Sequence, residues 1–298
     1  MKICRYDDNR LGVVIGDEVA DVTDVLETLP SVRWPLPSGD LLIANLNELR
    51  PTLERRADTA PRKPVAAVRL LSPVANPGKI IAAPVNYKLH LDEARADSAI
   101  HFGSHVKTIE ECGVFLKATS SLVGAGEGVV SERADRRTDH EIELALVIGR
   151  GGRNIAEADA LDHVAGYCIG LDMTIRGPEE RSYRKSLDTF SVLGPWLVTA
   201  DEFGDPSAVD FRLEVNGEVR QEANTRDLIF DCRRLISYAS HAYRLEPGDV
   251  IMTGTPEGVS PVEPGDTMTC WIDGIGTMTV AVRGPGAAAA RQRTAVAG

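Results

Sequence analysis

The stretch Asp139-His140-Glu141-Ile142-Glu143-Leu144-Ala145-Leu146-Val147-Ile148-Gly149 predicts a β-strand with two carboxylates near its start. Glu141 and Glu143 are two residues apart, and side chains with that spacing point to the same face of a strand. The strand rise places them roughly 7 Å apart. The same face continues with Ala145 and Val147, so we expect the glutamate pair at the edge of a hydrophobic core.

Two carboxylates held side by side repel each other unless a positive charge lies between them. A hard divalent cation, which prefers oxygen ligands, supplies such a charge. A strand end whose charges face water explains the same pattern. The stretch alone therefore leaves a metal site and a charged strand end as two open interpretations.

The composition is that of an ordinary water-soluble globular protein. The chain has 298 residues, with 43% hydrophobic and 26% charged residues, enough for one large and one small domain. Its 33 basic and 44 acidic residues give a formal charge of -11. This charge argues against nucleic acid or an anionic membrane as a partner. An anionic small substrate stays possible, because a bound metal creates a local positive charge.

The cysteines and the hydropathy pattern predict a cytoplasmic location. The five cysteines are scattered, odd in number and without a CxxC pair, which argues against a disulfide framework. The sequence shows no apolar run near 18 residues and no signal peptide, so we expect no membrane span.

The pattern changes near residue 70, which predicts two domains and a tail. Residues 1–70 are expected to form a small support or dimer-contact domain, with a hairpin turning at Gly16-Asp17 and a helix over 41–56 interrupted at Pro51. Residues 71–283 would form the catalytic domain. Residues 284–298, rich in Ala, Gly and Arg, are expected to be disordered.

A histidine and a glutamate follow the buried strand at residues 79–83. If Asn86 caps a helix, His90 and Glu93 lie three residues apart on one face. A carboxylate beside an imidazole orients the ring and makes it more basic, as a general base requires. An incidental pair on a surface helix is the alternative.

The next segment, residues 94–113, contains His101 and His105 at HxxxH spacing, but Gly103 lies between them and no third ligand is evident. We expect a flap here and not a zinc site. The glycine-rich residues 123–129 match neither phosphate-binding pattern, so no nucleotide site is predicted.

A third carboxylate ends a later strand. A helix over 154–164 and a strand over 165–171 lead to Asp172, which could return to the glutamate pair as a third oxygen ligand or simply cap a helix. The polar, basic segment 181–190 is either a solvated loop or an anion-binding element. A further helix is predicted over 227–243.

Together these pieces resemble the fumarylacetoacetate hydrolase (FAH) family over roughly residues 70–283. The resemblance is carried, in family order, by Asn86-Tyr87 with His90 and Glu93; Phe115-Leu116-Lys117; Glu141-x-Glu143; Asp172 with Arg176; Lys185-Ser186; Asp188-Thr189-Phe190; Gly194-Pro195; Val215-Asn216-Gly217-Glu218; Pro247-Gly248-Asp249; and Thr253-Gly254-Thr255-Pro256-Glu257-Gly258-Val259. Each piece is weak alone, whereas the ordered set is specific for the family.

The resemblance implies an α+β, mainly β fold, a mixed β-sandwich roll with a small N-terminal α/β domain, assembled as a homodimer. It also implies a Mg²⁺ or Mn²⁺ site held by Glu141, Glu143 and Asp172. His90 and Glu93 would form the water-activating dyad on a lid helix.

The resemblance further implies residues that contact the substrate. By this resemblance Lys185 is a catalytic residue, and Lys185 and Thr255 would contact the oxo-acid end of the substrate. Lys117 and Arg176 match substrate-binding positions. The chain departs from the family pattern around the lid, where Pro84 replaces a frequent glycine, Ala118 a frequent proline, and the link between the lid and Phe115 is long.

The implied function is a metal-dependent hydrolase that cleaves a C–C bond in a 2,4-dioxo acid, of the acylpyruvate, fumarylpyruvate or maleylpyruvate type, and releases pyruvate. An oxaloacetate-type decarboxylase or a 2-hydroxymuconate-type isomerase would use the same site. A non-catalytic, metal-dependent binder of oxo acids is the alternative from another class. The partner in every case is a small 2-oxo acid.

Overall fold

The structure is a computed structural model that describes residues 1–103, 105–133 and 135–286. Its strands, numbered in chain order, are β1 (Lys2–Tyr6), β2 (Arg10–Ile15), β3 (Glu18–Asp21), β4 (Arg62–Pro64), β5 (Leu70–Leu71), β6 (Ile80–Ala82), β7 (Phe115–Lys117), β8 (Leu122–Val123), β9 (Val129–Val130), β10 (Thr138–Asp139), β11 (Ile142–Ile148), β12 (Val164–Asp172), β13 (Thr174–Ile175), β14 (Ser191–Thr199), β15 (Asp210–Val215), β16 (Glu218–Asn224), β17 (Val250–Met252), β18 (Thr267–Ile272) and β19 (Gly276–Arg283).

The α-helices are α1 (Leu41–Ala44), α2 (Leu46–Thr59), α3 (Lys88–Ala96), α4 (Ser98–His101), α5 (Ile109–Cys112), α6 (Arg181–Arg184), α7 (Ala200–Phe203) and α8 (Cys232–Ala242). Short 3₁₀ helices span Thr23–Thr28, Val65–Ala67, Thr119–Ser121, Ala125–Glu127, Glu157–His163, Pro206–Ala208 and Thr225–Asp227. Among the described residues, none of these helices has the length and apolar character that a membrane span requires.

The strands form two main sheets. The larger sheet runs β4-β3-β2-β1-β14-β12-β11-β17-β6-β7, with β5 beside β1 and β8 beside β14. The second sheet runs β16-β15-β18-β19-β9, and β10 pairs separately with β13. Together with the short helices this architecture confirms the predicted α+β, mainly β fold.

The strand β11 lies at the centre and is buried along its whole length. Its Ile142, Leu144, Leu146 and Ile148 side chains pack in the core shared with the second sheet. Its other face presents Ala145 and Val147 to a second core. Because the two faces pack against different layers, a shift of the strand by one residue would exchange their side chains, so the register is strongly determined.

The segment 1–70 contributes to the same sheet and core as the rest of the chain. β1 pairs with β14, and the hairpin at Gly16-Asp17 forms as predicted between β2 and β3. Leu53 of α2 is fully buried in the core that also contains Val147. The proposed domain boundary near residue 70 therefore falls within a continuous sheet, and it stays a prediction about independent folding.

Three predicted helices differ from the structure. The interruption near Pro51 is wrong: the break lies at Asn45, and Pro51 lies inside α2, where it costs a single backbone hydrogen bond. The 154–164 segment forms only a 3₁₀ helix over Glu157–His163. The helix predicted from residue 227 begins at Cys232, because the Asp231 carboxylate accepts a hydrogen bond from the Arg234 N–H at 2.8 Å and caps it there. In the predicted tail, residues 287–298 lie outside the described residues.

The shared core predicts a single unfolding transition. Leu53→Ala should lower the free energy of unfolding by about 2–5 kcal/mol, because it leaves a cavity in the core beneath β11. Calorimetry should show one transition at a lower Tm, whereas Arg55→Ala on the exposed side of α2 should change it little. Two separate transitions would instead support a domain boundary near residue 70.

Candidate active site

The antiparallel pairing of β11 with β12 brings three carboxylates together. Ile142 lies opposite Leu171, and the Asp172 N–H donates to the Glu141 carbonyl oxygen at 2.9 Å, so Asp172 lies opposite Glu141. Paired residues of antiparallel strands point to the same face. Carboxylate oxygens of Glu141, Glu143 and Asp172 therefore lie within 4.8 Å of one another, and all three residues are buried.

Buried cations surround two of these carboxylates. The Lys185 ammonium donates to Glu141 Oε2 at 2.6 Å and to Asp172 Oδ2 at 2.7 Å. The Lys117 ammonium pairs with Asp172 and donates to the Phe190 carbonyl oxygen at 2.7 Å. These contacts place positive charge beside both buried carboxylates.

Arg176 ties the site to the strand that precedes β11. Its guanidinium donates to Asp139 Oδ2 at 2.8 Å and to Glu141 Oε1 at 3.0 Å. Asp139 also accepts a bond from Arg137 Nε at 2.7 Å. Arg176 is thus held by two carboxylates, and it orients Glu141 in turn.

The pKa values of the two glutamates are shifted in opposite directions. Burial raises the pKa of Glu141, but the Lys185 and Arg176 cations outweigh it and hold that pKa well below its ordinary value. Burial and then the Asp172 charge raise the pKa of Glu143 well above its ordinary value. Glu143 accepts a hydrogen bond from the Gly254 N–H at 2.6 Å, and within the described residues it has no ion pair like those of Glu141.

This donor set fits a divalent cation. All three groups supply carboxylate oxygens, the ligand type preferred by Mg²⁺ and accepted by Mn²⁺. A cation among them would relieve the repulsion between Asp172 and Glu143 that raises the Glu143 pKa. The arrangement therefore supports Glu141, Glu143 and Asp172 as metal ligands.

The His90–Glu93 pair forms on α3. The His90 Nδ1 and Glu93 Oε2 atoms are 2.9 Å apart, and Glu93 Oε1 accepts a hydrogen bond from the Gly258 N–H at 2.9 Å. The His90 side chain is 6% exposed. Glu93 is therefore held at both oxygens, one by the imidazole and one by the backbone.

Gly258 makes this contact in a conformation that favours glycine. Its φ is +91°, and a Cβ there would lie 2.0 Å from the Arg220 carbonyl oxygen. Any side chain at this position would therefore displace the backbone that donates to Glu93.

The prediction that Asn86 caps α3 is wrong, because Tyr87 occupies the cap position. The Asn86 amide instead donates to the Phe230 and Thr253 carbonyl oxygens at 2.9 and 2.8 Å, and its oxygen accepts from the Phe230 N–H at 2.8 Å. Asn86 thereby fixes the start of the helix to the end of β17, next to the carboxylates.

A cavity of about 330 Å³ joins most of the predicted residues. Its lining includes His90, Glu141, Glu143, Arg176, Lys185 and Thr255. Glu93 contacts the lining residue His90, Asp172 contacts the lining residue Lys185, and Lys117 pairs with Asp172. The Thr255 hydroxyl already donates to the Ile142 carbonyl oxygen at 2.9 Å and accepts from Gln221 Nε2 at 2.8 Å.

One residue of the site, Thr174, was not singled out from the sequence. Thr174 donates to Glu141 Oε1 at 3.0 Å and accepts from Lys185 Nζ at 2.6 Å. Its position two residues after Asp172 was the available signal. His101 and His105, which the sequence placed on a predicted flap, also line the cavity.

Comparisons with known proteins agree with this site. The family described as "Fumarylacetoacetate (FAA) hydrolase C-terminal" matches residues 79–283. A maleylpyruvate hydrolase of Aquipseudomonas alcaligenes is 59% identical over 285 residues, covering 95% of this chain and 99% of that protein. The chain belongs to the fumarylacetoacetate hydrolase family.

Solved structures of relatives cover nearly the whole chain. A maleylpyruvate hydrolase from a Sphingobium species, in complex with manganese(II) and pyruvate, matches with a TM-score of 0.81 and 43% identity, covering 96% of this chain and all of that chain. A 5-carboxymethyl-2-hydroxymuconate delta-isomerase from Mycobacterium smegmatis matches with a TM-score of 0.68 and 32% identity, covering 95% and 100%.

Removal of one carboxylate should weaken metal binding. Losing a partner of a metal ligand typically costs roughly 10- to 100-fold in affinity, so Glu143→Gln should cost at least that much. Calorimetric titration with Mn²⁺ measures the change, with the exposed Glu218→Gln as control. Unchanged affinity in a folded Glu143→Gln protein would remove Glu143 from the ligand set.

Displacing the Gly258 backbone should affect catalysis and not metal binding. Gly258→Ala should lower kcat by roughly 10-fold or more, because Glu93 loses its backbone donor and the imidazole is less well oriented. Mn²⁺ affinity should stay near wild type. Gly265→Ala is the matched control, because Gly265 also has a positive φ, +104°, but a Cβ there would meet no atom of the described residues within 4 Å. Equal kcat in both variants would contradict the orienting role.

Proposed function

We propose that this protein is a metal-dependent hydrolase that cleaves the C–C bond of a maleylpyruvate-type 2,4-dioxo acid and releases pyruvate. The observation that carries the proposal is one cavity that contains both a carboxylate metal site and the His90–Glu93 pair. The 59% identity to a maleylpyruvate hydrolase, extending over nearly the full chain, supports this substrate type.

Glu141, Glu143 and Asp172 would hold Mg²⁺ or Mn²⁺, as the relative with manganese(II) and pyruvate suggests for the manganese case. When bound, the cation supplies positive charge that favours the enolate form of the departing pyruvate. The protein side chains perform the remaining tasks: they bind the oxo acid, orient it and move the proton.

His90 is the proposed general base. Its Nδ1 faces Glu93 Oε2, so Nε2 is the nitrogen left to take a proton from water. The water oxygen then forms a bond to C4 of the substrate, and the C3–C4 bond breaks with its electron pair moving to C3. The proton returns to the pyruvate enolate from the imidazolium, which leaves pyruvate and a carboxylic acid as products.

The cations of the site position the oxo-acid end. Lys185 lines the cavity and also reaches two of the carboxylates, so its ammonium is fixed before substrate arrives. We propose that Lys185 and the backbone beside Thr255 together bind the carboxylate of the oxo-acid end of the substrate. Arg176 and Lys117 would act mainly by fixing Glu141 and Asp172, with Arg176 also exposed to the cavity.

An isomerase or tautomerase is the second candidate, because an isomerase relative has the same fold at 32% identity. Such a reaction needs proton transfer and no attacking water, and a decarboxylase likewise needs no water. We rank them below hydrolysis because the full-length similarity to a maleylpyruvate hydrolase is much higher. A non-catalytic oxo-acid binder would have no use for the oriented His90–Glu93 pair.

We also propose a homodimer in the cytoplasm. The cysteines Cys4, Cys112, Cys168, Cys232 and Cys270 are all free thiols, which supports a reducing compartment. The acidic charge of -11 supports a small-molecule partner over nucleic acid.

The test is a substrate panel followed by ultraviolet absorbance of the enol, with Mn²⁺ or Mg²⁺ and with EDTA. The panel comprises maleylpyruvate, fumarylpyruvate, acetylpyruvate, oxaloacetate and a hydroxymuconate. Pyruvate formation from maleylpyruvate that EDTA abolishes is the expected result. Loss of the band without pyruvate would indicate isomerisation, and no reaction with any compound would favour the binder.

Replacing the base should separate catalysis from metal binding. His90→Ala should lower kcat by roughly 10²- to 10⁴-fold, because proton abstraction from water is lost. Its Mn²⁺ affinity should stay near wild type, since His90 is outside the ligand set. The exposed His241→Ala serves as control. Wild-type turnover by His90→Ala would exclude His90 as the base.

A further inference from the structure

Two arginines in the cavity wall have no carboxylate partner among the described residues. Arg181 and Arg184 of α6 both line the cavity, and neither forms an ion pair within the part of the chain that the structure describes. Neighbouring arginines differ: Arg136 pairs with Glu179, and Arg176 pairs with Asp139 and Glu141. In a chain with 44 acidic residues, two such cations at one cavity indicate that an anionic ligand supplies their counter-charge.

The two guanidinium groups are held in place without being neutralised. Arg184 Nε donates to the Glu179 carbonyl oxygen at 2.8 Å, which leaves its terminal nitrogens for a ligand. Arg181 lies over the Phe115 ring, 5.2 Å from the centroid, and reaches Cys112 Sγ at 3.9 Å. Both side chains are only partly exposed.

Charges around the pair also favour an anion. Burial, and then the neighbouring Arg176 and Arg181 charges, lower the pKa of Arg184, so this wall of the cavity carries excess positive charge. The cavity lining also includes His101, His105 and Lys107. Besides Glu141 and Glu143, the acidic residues of the lining are Glu179, which pairs with Arg136, and the exposed Glu180.

The position of the pair relative to the carboxylate site decides what it can bind. Arg184 precedes Lys185, whose ammonium reaches Glu141 and Asp172, so the arginines lie next to the proposed oxo-acid site and on the same cavity. Arg176, which contacts Glu141, lines the same cavity. A ligand whose oxo-acid end lies at the carboxylates and whose second, anionic end lies at α6 would occupy the oxo-acid site and contact the two arginines.

We propose that Arg181 and Arg184 bind the distal carboxylate of a dicarboxylic 2,4-dioxo acid and thereby select diacids over monoacids. This proposal rests on the proposed function. The planar guanidinium fork matches a carboxylate in two parallel hydrogen bonds, which a lysine cannot reproduce. Anchoring the far end of the acyl chain also fixes the 4-oxo carbon relative to His90, so the pair contributes orientation as well as binding.

The test uses two ligands that cannot be cleaved, because both lack the 4-oxo group. 2-Oxoheptanedioate and 2-oxoheptanoate have the same chain length and differ only in the distal carboxylate. Calorimetry with the Mn²⁺-loaded protein should show tighter binding of the diacid on the order of 10- to 100-fold. Arg181→Gln and Arg184→Gln should each remove most of that preference and leave the monoacid affinity within about 2-fold of wild type.

Controls separate binding from general damage. Arg244→Gln, at an exposed arginine that pairs with Glu246 elsewhere on the surface, should keep the wild-type preference. Arg184→Lys should recover only part of it, because the charge remains and the fork is lost. An equal loss of affinity for both ligands, or an unchanged diacid preference in both glutamine variants, would overturn the proposal.

Turnover of maleylpyruvate and acetylpyruvate distinguishes this proposal from the proposed function. Arg181→Gln and Arg184→Gln are each assayed with both compounds. A loss of kcat/KM for maleylpyruvate of roughly 10-fold or more, with kcat/KM for acetylpyruvate unchanged, supports the proposed hydrolysis and the proposed role of the arginines. If wild type cleaves neither compound yet prefers the diacid in calorimetry, the proposed hydrolysis is wrong and the proposed binding of the distal carboxylate by Arg181 and Arg184 is supported. If wild type cleaves both equally well and shows no diacid preference, hydrolysis is supported and the proposed binding of the distal carboxylate by Arg181 and Arg184 is wrong.

Discussion

The active site is built on the burial of three carboxylates beside two lysines. Taking ionised groups out of water is costly unless opposite charges accompany them, and the pairing of β11 with β12 forces Glu141 and Asp172 into that situation. Lys185 and Lys117 compensate these two, whereas Glu143 is left with a raised pKa. A divalent cation among the three carboxylates would relieve the repulsion between Asp172 and Glu143 that contributes to this raised pKa.

The fold explains why this arrangement is rigid. β11 is buried on both faces, with one face in the core shared by the two sheets and the other against the core that includes α2. The strand consequently cannot shift or rotate without moving two hydrophobic layers. The reactive side chain, His90, comes instead from a helix that is tied down at its start by Asn86 and at Glu93 by Gly258. A rigid metal site and a separately anchored base therefore meet at one cavity.

Local sequence patterns were sufficient to predict part of the site. Alternation along residues 142–148 identified the strand and the shared face of its glutamates, and helical spacing paired His90 with Glu93. Asn86 was misplaced because a capping rule considers only neighbouring residues, whereas its amide is satisfied by Phe230 and Thr253, far along the chain. Likewise, a basic segment such as 181–184 does not reveal from sequence which arginines find carboxylates, since Glu179 is neutralised by Arg136 from another loop. The order of the family motifs, and not periodicity, predicted which residues distant in sequence belong to the same site.

In the proposed mechanism, water that is activated by His90 beside the three carboxylates attacks the 4-oxo carbon. Turnover of maleylpyruvate in H₂¹⁸O by the Mn²⁺-loaded enzyme, followed by mass spectrometry of the acid product, tests it most directly. The account predicts one ¹⁸O atom in the new carboxylate of maleate, formed together with pyruvate. Maleate without the label, or an isomerised dioxo acid with no pyruvate, would contradict it.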